Sequence, residues 1–162
     1  MRMSNTIRVG IAQMNICMPP DKICTAGLGS CIGIILYDTE TKVAGLVHIM
    51  LPDSTKIKQN QNLIKFADTG IDALIALLEQ QKVPRKNLKA KIAGGACMFA
   101  FTSKDIGSIG QQNIDAVRNK LKDLEIPIVA EDVGGNVGRT ITFDPVSYEL
   151  EIVKTGKQIN II

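Results

Sequence analysis

The feature that most limits how this chain can fold is a pair of apolar runs, Cys31–Tyr37 (CIGIILY) and Val43–Met50 (VAGLVHIM), joined by the polar residues Asp38–Lys42. Both runs are short, and the first is rich in β-branched residues. They read as buried strands rather than helices. The five-residue polar link makes them a hairpin. Upstream, Thr6–Met14 is apolar with partial alternation and reads as a strand, and Pro19-Pro20-Asp21 marks a loop. Lys22–Ala26 is a short strand, followed by the tight turn Gly27-Leu28-Gly29-Ser30, where two glycines permit positive φ.

The middle of the chain is helical. Asn62–Gln80 places Leu63, Phe66, Ala67, Ile71, Leu74 and Leu78 on one face, and Val83-Pro84-Arg85 stops it. Lys89–Ala93 is a strand leading into Gly94-Gly95. A second helix, Ile109–Leu124, turns Ile114, Val117, Leu121 and Leu124 inward. Pro127–Val133, Thr140–Phe143 and Glu149–Lys154 are strands, and the glycine-rich stretch Gly134–Gly138 is the loop between the first two. With strands, helix, strand, helix and strands in that order, the expected fold is α+β: a single layered sandwich domain with mixed sheets spanning residues 1–162.

Composition bounds the function. Of 162 residues, 45 % are apolar and 22 % charged, the balance of a globular chain with a real core. A net charge of +3 with dispersed basic residues argues against nucleic acid. The densest basic cluster, Lys82–Lys91, reads as a solvated loop. Met1–Arg8 lacks the apolar run of a signal peptide, and Val43–Leu51 is too short to span a bilayer, so a cytoplasmic protein without membrane insertion is expected. Four cysteines, Cys17, Cys24, Cys31 and Cys97, show no CxxC spacing, and the chain has one histidine. Neither a metal nor a cofactor is expected.

The unique histidine, His48, lies in an apolar strand. On position alone, a buried neutral histidine bonded to the backbone is the simpler reading. The same setting also makes a general base if a nucleophile is near. Cys31 is the best candidate, because it follows the glycine turn and enters the strand paired with that of His48. Backbone N–H groups in such a turn can converge on an oxyanion and favour a thiolate. Thr25, six residues earlier across the turn, can reach the imidazole, although an ordinary strand threonine is the simpler reading of its spacing.

Longer motifs go further. Thr25-Ala26-Gly27-Leu28-Gly29-Ser30-Cys31-Ile32-Gly33 and Ala44-Gly45-Leu46-Val47-His48-Ile49-Met50-Leu51-Pro52 resemble the CheD family of chemoreceptor glutamine deamidases. The resemblance continues through Lys91–Ala96, Met98-Phe99, Ile126–Asn136 and Gly138-Arg139-Thr140, and covers about Val9 to Lys154. Cys97, after Gly94-Gly95-Ala96, and Gln111-Gln112, before Asn113, depart from the family pattern. The resemblance implies a catalytic Cys31, His48 and Thr25, a fold related to Cys-His toxin deamidases, and hydrolysis of side-chain amides of receptor glutamines through a thioester. It implies two partners: the cytoplasmic domains of methyl-accepting chemoreceptors as substrate, and the CheC phosphatase. A module that mainly binds and stimulates CheC is one alternative. A cysteine peptidase or transamidase using the same pair is another.

Overall fold

The computed structural model describes residues 3–57, 62–97, 108–156 and 158–162. Met98 and Phe99 of the family motif lie outside them. The elements are β1 (Thr6–Val9), β2 (Met14–Cys17), β3 (Lys22–Leu28), β4 (Ile32–Tyr37), β5 (Ala44–Ile49), α1 (Ala67–Gln80), β6 (Lys89–Gly94), α2 (Ile109–Asp123), β7 (Ile128–Val133), β8 (Arg139–Phe143), β9 (Leu150–Lys154) and β10 (Gln158–Ile161). Two five-stranded sheets form, in the orders β1-β3-β8-β9-β10 and β2-β5-β4-β6-β7. Each mixes parallel and antiparallel pairs. The fold is the expected α+β sandwich of mixed sheets.

The β4–β5 hairpin lies at the heart of the second sheet, paired in register from Ile32↔Ile49 to Tyr37↔Ala44. Its turn is fixed by Asp38, whose carboxylate accepts from the Glu40 and Thr41 amides and the Thr41 hydroxyl, the local bonding that suits aspartate to turns. All twelve residues of the two strands are buried, because they are covered on both faces. On one face Ile32, Ile34, Leu36, Val47 and Ile49 meet α1 and α2 in an aliphatic core. On the other, Ile35, Tyr37, Ala44 and Leu46 meet Ile23, Leu28, Ile141, Phe143 and Ile152 of the first sheet. The layers therefore run sheet, sheet, helices.

Four local expectations are corrected. Thr6–Met14 is two strands, not one. A turn at Gly10–Gln13, with Ala12 at φ 58°, separates β1 in the first sheet from β2 in the second. The helix expected from Asn62 starts at Ala67, because Phe66 is extended (φ −111°, ψ 146°) and bridges Leu51. Lys65 O there accepts from the Met50 and Leu51 amides, so the segment is bound to the end of β5. Leu63 is consequently 53 % exposed rather than on the inner face. Lys91 is not part of a solvated loop; it is buried, and its ammonium donates to Tyr148 O and Ile162 O. Lys82, Arg85 and Lys86 of the same cluster are exposed as expected. The strand β10, which pairs with β9, was not anticipated.

Candidate active site

Strand alternation decides which side chains share a space. His48 pairs with Gly33, so its side chain lies on the face of β5 that looks toward the first sheet. Thr25 comes from β3 in that facing sheet. The glycine turn after β3 carries the chain from one sheet to the other, so the two residues meet across the sandwich. Thr25 Oγ1 is 2.7 Å from His48 Nδ1 and 2.7 Å from the Val9 carbonyl oxygen.

These two distances fix the proton positions. The Val9 carbonyl can only accept, so the single hydroxyl proton of Thr25 is used there. Oγ1 must then accept from Nδ1–H, which puts the neutral ring's lone pair on Nε2. His48 is fully buried, and burial pushes its pKa down to about 4. The imidazole is therefore neutral across the physiological range. Its Nε2 is buried and, among the described residues, has no hydrogen-bond partner.

Cys31 immediately precedes β4 and packs against the inter-sheet core, on the same face as Gly33. It is thus the diagonal neighbour of His48, with only the glycine between them. Diagonal pairs lie about 7–8 Å apart at Cα and are bridged by longer side chains. No hydrogen bond joins Sγ to Nε2 here. The thiol is half-buried. Burial raises its pKa, and the residue's own backbone amide works in the opposite direction. Without substrate, the pair is therefore a neutral thiol beside a neutral base.

The turn carrying Cys31 is held by its neighbours. Gly27 takes φ +72°, and the Gly29 amide closes onto Gly27 O at 3.1 Å. The end of β6 supports the turn from the side. Gly95 N donates to Cys31 O at 2.9 Å, and Ala96 N donates to Gly29 O at 2.8 Å. This approach requires glycine, since a Cβ on Gly94 (φ +119°) would collide with the Cys31 carbonyl oxygen. Asn113 of α2 donates from Nδ2 to Ser30 O and Met50 O. No hydrogen bond from the Ser30 or Cys31 amide occurs among the described residues.

The Gly134–Gly138 loop is tied in as well. Arg139, 4 % exposed, donates to Asp132 Oδ1 and to Gly134 O, and Gly135 O accepts from Cys97 N. The remaining cysteines have different settings. Cys17 is buried, and burial together with Asp21 and Asp144 pushes its thiol up to about 12, which makes it inert near neutrality. Cys24 is buried and Cys97 exposed.

The structure thus hydrogen-bonds Thr25 to His48 and sets Cys31 on their face, one diagonal step away. Sequence reasoning passed over two contributors. The Val9 carbonyl leaves no mark in a sequence. Asn113 leaves only one: a polar residue on the inner face of a helix.

A half-buried thiol, a neutral imidazole with a free nitrogen and a hydroxyl orienting that ring form the constellation of thiol-dependent acyl transfer. Comparison with known proteins shows the family to which the chain belongs. Residues 50–154 match the family described as CheD chemotactic sensory transduction, a match that begins two residues after His48. The chain belongs to the CheD family. It is 57 % identical over 156 residues to the Lachnoclostridium phytofermentans protein named "Probable chemoreceptor glutamine deamidase CheD", covering 96 % of this chain and 97 % of that protein. It is 53 % identical to the Halalkalibacterium halodurans chemoreceptor glutamine deamidase CheD, covering 93 % and 94 % of the two chains. To the Bacillus licheniformis protein of the same name it is 51 % identical, covering 96 % and 93 %.

Proposed function

We propose that this chain is a cysteine-dependent protein-glutamine deamidase, converting glutamine side chains of chemoreceptor cytoplasmic domains to glutamate in chemotaxis. One observation carries the catalytic assignment: the buried His48 Nε2, unprotonated and unpartnered, on the face shared with Cys31. In the reaction, Nε2 takes the Cys31 proton as the sulfur attacks the carboxamide carbon. The Cys31 and Ser30 amides donate hydrogen bonds to the developing oxyanion. The imidazolium returns its proton to the leaving nitrogen, the C–N bond breaks, ammonia departs and a thioester remains. His48 then deprotonates water, which attacks the thioester, and the released thiolate regains the proton. Thr25 keeps Nδ1 protonated throughout, so the lone pair stays on the reacting side.

The reading takes residues 1–162 as one deamidase domain working in the cytoplasm. No described helix is long and apolar enough to cross a membrane. A module that mainly binds CheC is not favoured: the relatives are named as deamidases, and an adaptor needs neither thiol nor base. CheC stays in the proposal as an additional partner, to be tested by capture with the Cys31→Ala protein.

The test is intact-mass measurement of a chemoreceptor cytoplasmic fragment after incubation with wild-type or Cys31→Ala protein. Hydrolysis adds about 1 Da per glutamine by exchanging NH2 for OH. The gain is expected with wild type alone. Equal gain with Cys31→Ala would remove Cys31 from the mechanism. A cleaved or cross-linked product would replace deamidation with peptidase or transamidase chemistry.

A further inference from the structure

We infer that Asn113 is a positioning residue that aims the Cys31 backbone amide at the reacting carbonyl. The inference rests on the reading of Cys31 as nucleophile. Asn113 lies in α2, on the far side of the second sheet from Thr25 and His48, and is fully buried. Its Nδ2 sits 2.9 Å from Ser30 O and 3.0 Å from Met50 O. Both partners are carbonyl oxygens, which only accept. The group between them must be the two-donor NH2, so the orientation of the side-chain amide is unambiguous.

The consequence follows from peptide geometry. In a planar trans peptide, the C=O and the N–H of one unit point in opposite directions. The Ser30 carbonyl and the Cys31 N–H belong to one such unit. Drawing the carbonyl toward the helix layer therefore turns the Cys31 N–H toward the inter-sheet side, where the sulfur lies. The flanking carbonyls, Gly29 O and Cys31 O, are held by backbone amides of Ala96 and Gly95. Among the described residues only a side chain, that of Asn113, holds Ser30 O.

The second bond, to Met50 O, makes Asn113 a strut between the two halves of the site. The last direct pair of the β4–β5 ladder is Ile32↔Ile49. Beyond it, Asn113 joins the residue before Cys31 to the residue two after His48, closing the open end of the hairpin. Among the described residues, the buried Asn113 Oδ1 has no partner. A buried acceptor left unmatched is unfavourable and rare in native proteins.

The experiment compares wild type, Asn113→Ala and Asn113→Asp. For each it measures kcat and KM for ammonia release from a chemoreceptor fragment, the rate of Cys31 alkylation by iodoacetamide, and the circular-dichroism melt. Alkylation displaces iodide at a saturated carbon and develops no oxyanion, so it reads the thiol without reading the amide. For Asn113→Ala, kcat should fall by about 10²-fold, the scale of losing one oxyanion donor. KM and the alkylation rate should stay within about threefold, since the loss lies in the transition state. Asn113→Asp keeps the shape and decides the matter should the alanine variant not fold. As a carboxylate it repels both carbonyls, and once protonated it can donate to one. Its kcat relative to wild type should therefore rise as pH falls. A folded Asn113→Ala protein with wild-type kcat, kcat and alkylation falling in parallel, or an Asn113→Asp ratio flat with pH would each overturn the inference. Absence of turnover by wild type would overturn the deamidase reading and this inference with it.

Discussion

The two faces of the second sheet are made by the same strands and do different things. Toward the helices, β4 and β5 present Ile32, Ile34, Leu36, Val47 and Ile49, which join an aliphatic core with the buried Asn113 at its edge. Toward the first sheet, the alternate positions are Gly33, Ile35, Tyr37, Leu46 and His48, with Cys31 at the rim and Thr25 opposite. The strand residues of one face serve packing alone, and those of the other combine packing with the candidate site. Because side chains alternate with a period of two, a slip of one residue would send His48 into the helix core. The aliphatic face therefore holds the register on which the reactive face depends.

Perturbing each face in turn tests this division. The largest effect belongs to Cys31→Ala, which should lower deamidation by at least about 10³-fold, as expected for removing a nucleophile. The half-buried position should make the change in melting small. A large fall in stability would mean that Cys31 belongs to the packing instead. On the helix face, Ile34→Ala should cost about 2–5 kcal/mol in urea unfolding through lost burial and a cavity, while kcat of the folded protein stays near wild type. A selective fall in kcat would show that the two faces are not separable.

Acid should distinguish the faces next. His48 has a folded pKa of about 4, against about 6.5 when unfolded. The unfolded chain binds this proton first, so the contribution to stability is complete above pH ~6.5 and is lost as pH falls toward 4. The loss amounts to about 3 kcal/mol, at about 1.4 kcal/mol per pKa unit. His48→Asn should remove that part of the pH dependence, and Ile34→Ala should retain it. Equal slopes in wild type and His48→Asn would show that the imidazole charges normally in the fold. The smallest expected effect is that of Thr25→Val, which keeps the shape without the hydroxyl. With Nδ1–H unpaired the ring loses its orientation, and kcat should drop by about 10–10²-fold with KM unchanged. An unaltered kcat would mean that packing alone holds the imidazole.

How much of this was readable depended on where each signal is written. The hairpin was legible because burial on both faces leaves two uninterrupted apolar runs in the chain itself. It also brought Cys31 near His48, since adjacent paired strands are a local consequence of a short turn. Thr25 was reached only through the family motif. Its partner lies in the other sheet, and spacing along a chain does not say which sheet a strand joins. The division of Thr6–Met14 was hidden for a related reason. Beyond a single glycine, Gly10, its turn uses an alanine at positive φ, Ala12, and a local bond from Gly10 N to the Gln13 side chain. The break at Phe66 is imposed by pairing with Leu51, a tertiary contact that overrode a good helical pattern. For β10 the alternation Gln158-Ile159-Asn160-Ile161 was present, but all four residues are exposed, so no buried run announced it.

The placement of β4 also bears on how the molecule moves. This strand is hydrogen-bonded on both sides, to β5 and β6, and all six of its residues are buried. Amides so enclosed exchange with solvent only when the whole fold opens. Cys31 stands at the tip of that strand, and His48 lies within its hairpin partner. The candidate site residues are thus mounted on an enclosed, doubly paired strand and its partner, while exposed edges such as β10 are expected to fray first. On warming, catalysis should persist unchanged through fraying at the edges and disappear together with the slowest-exchanging amides, in a single cooperative step.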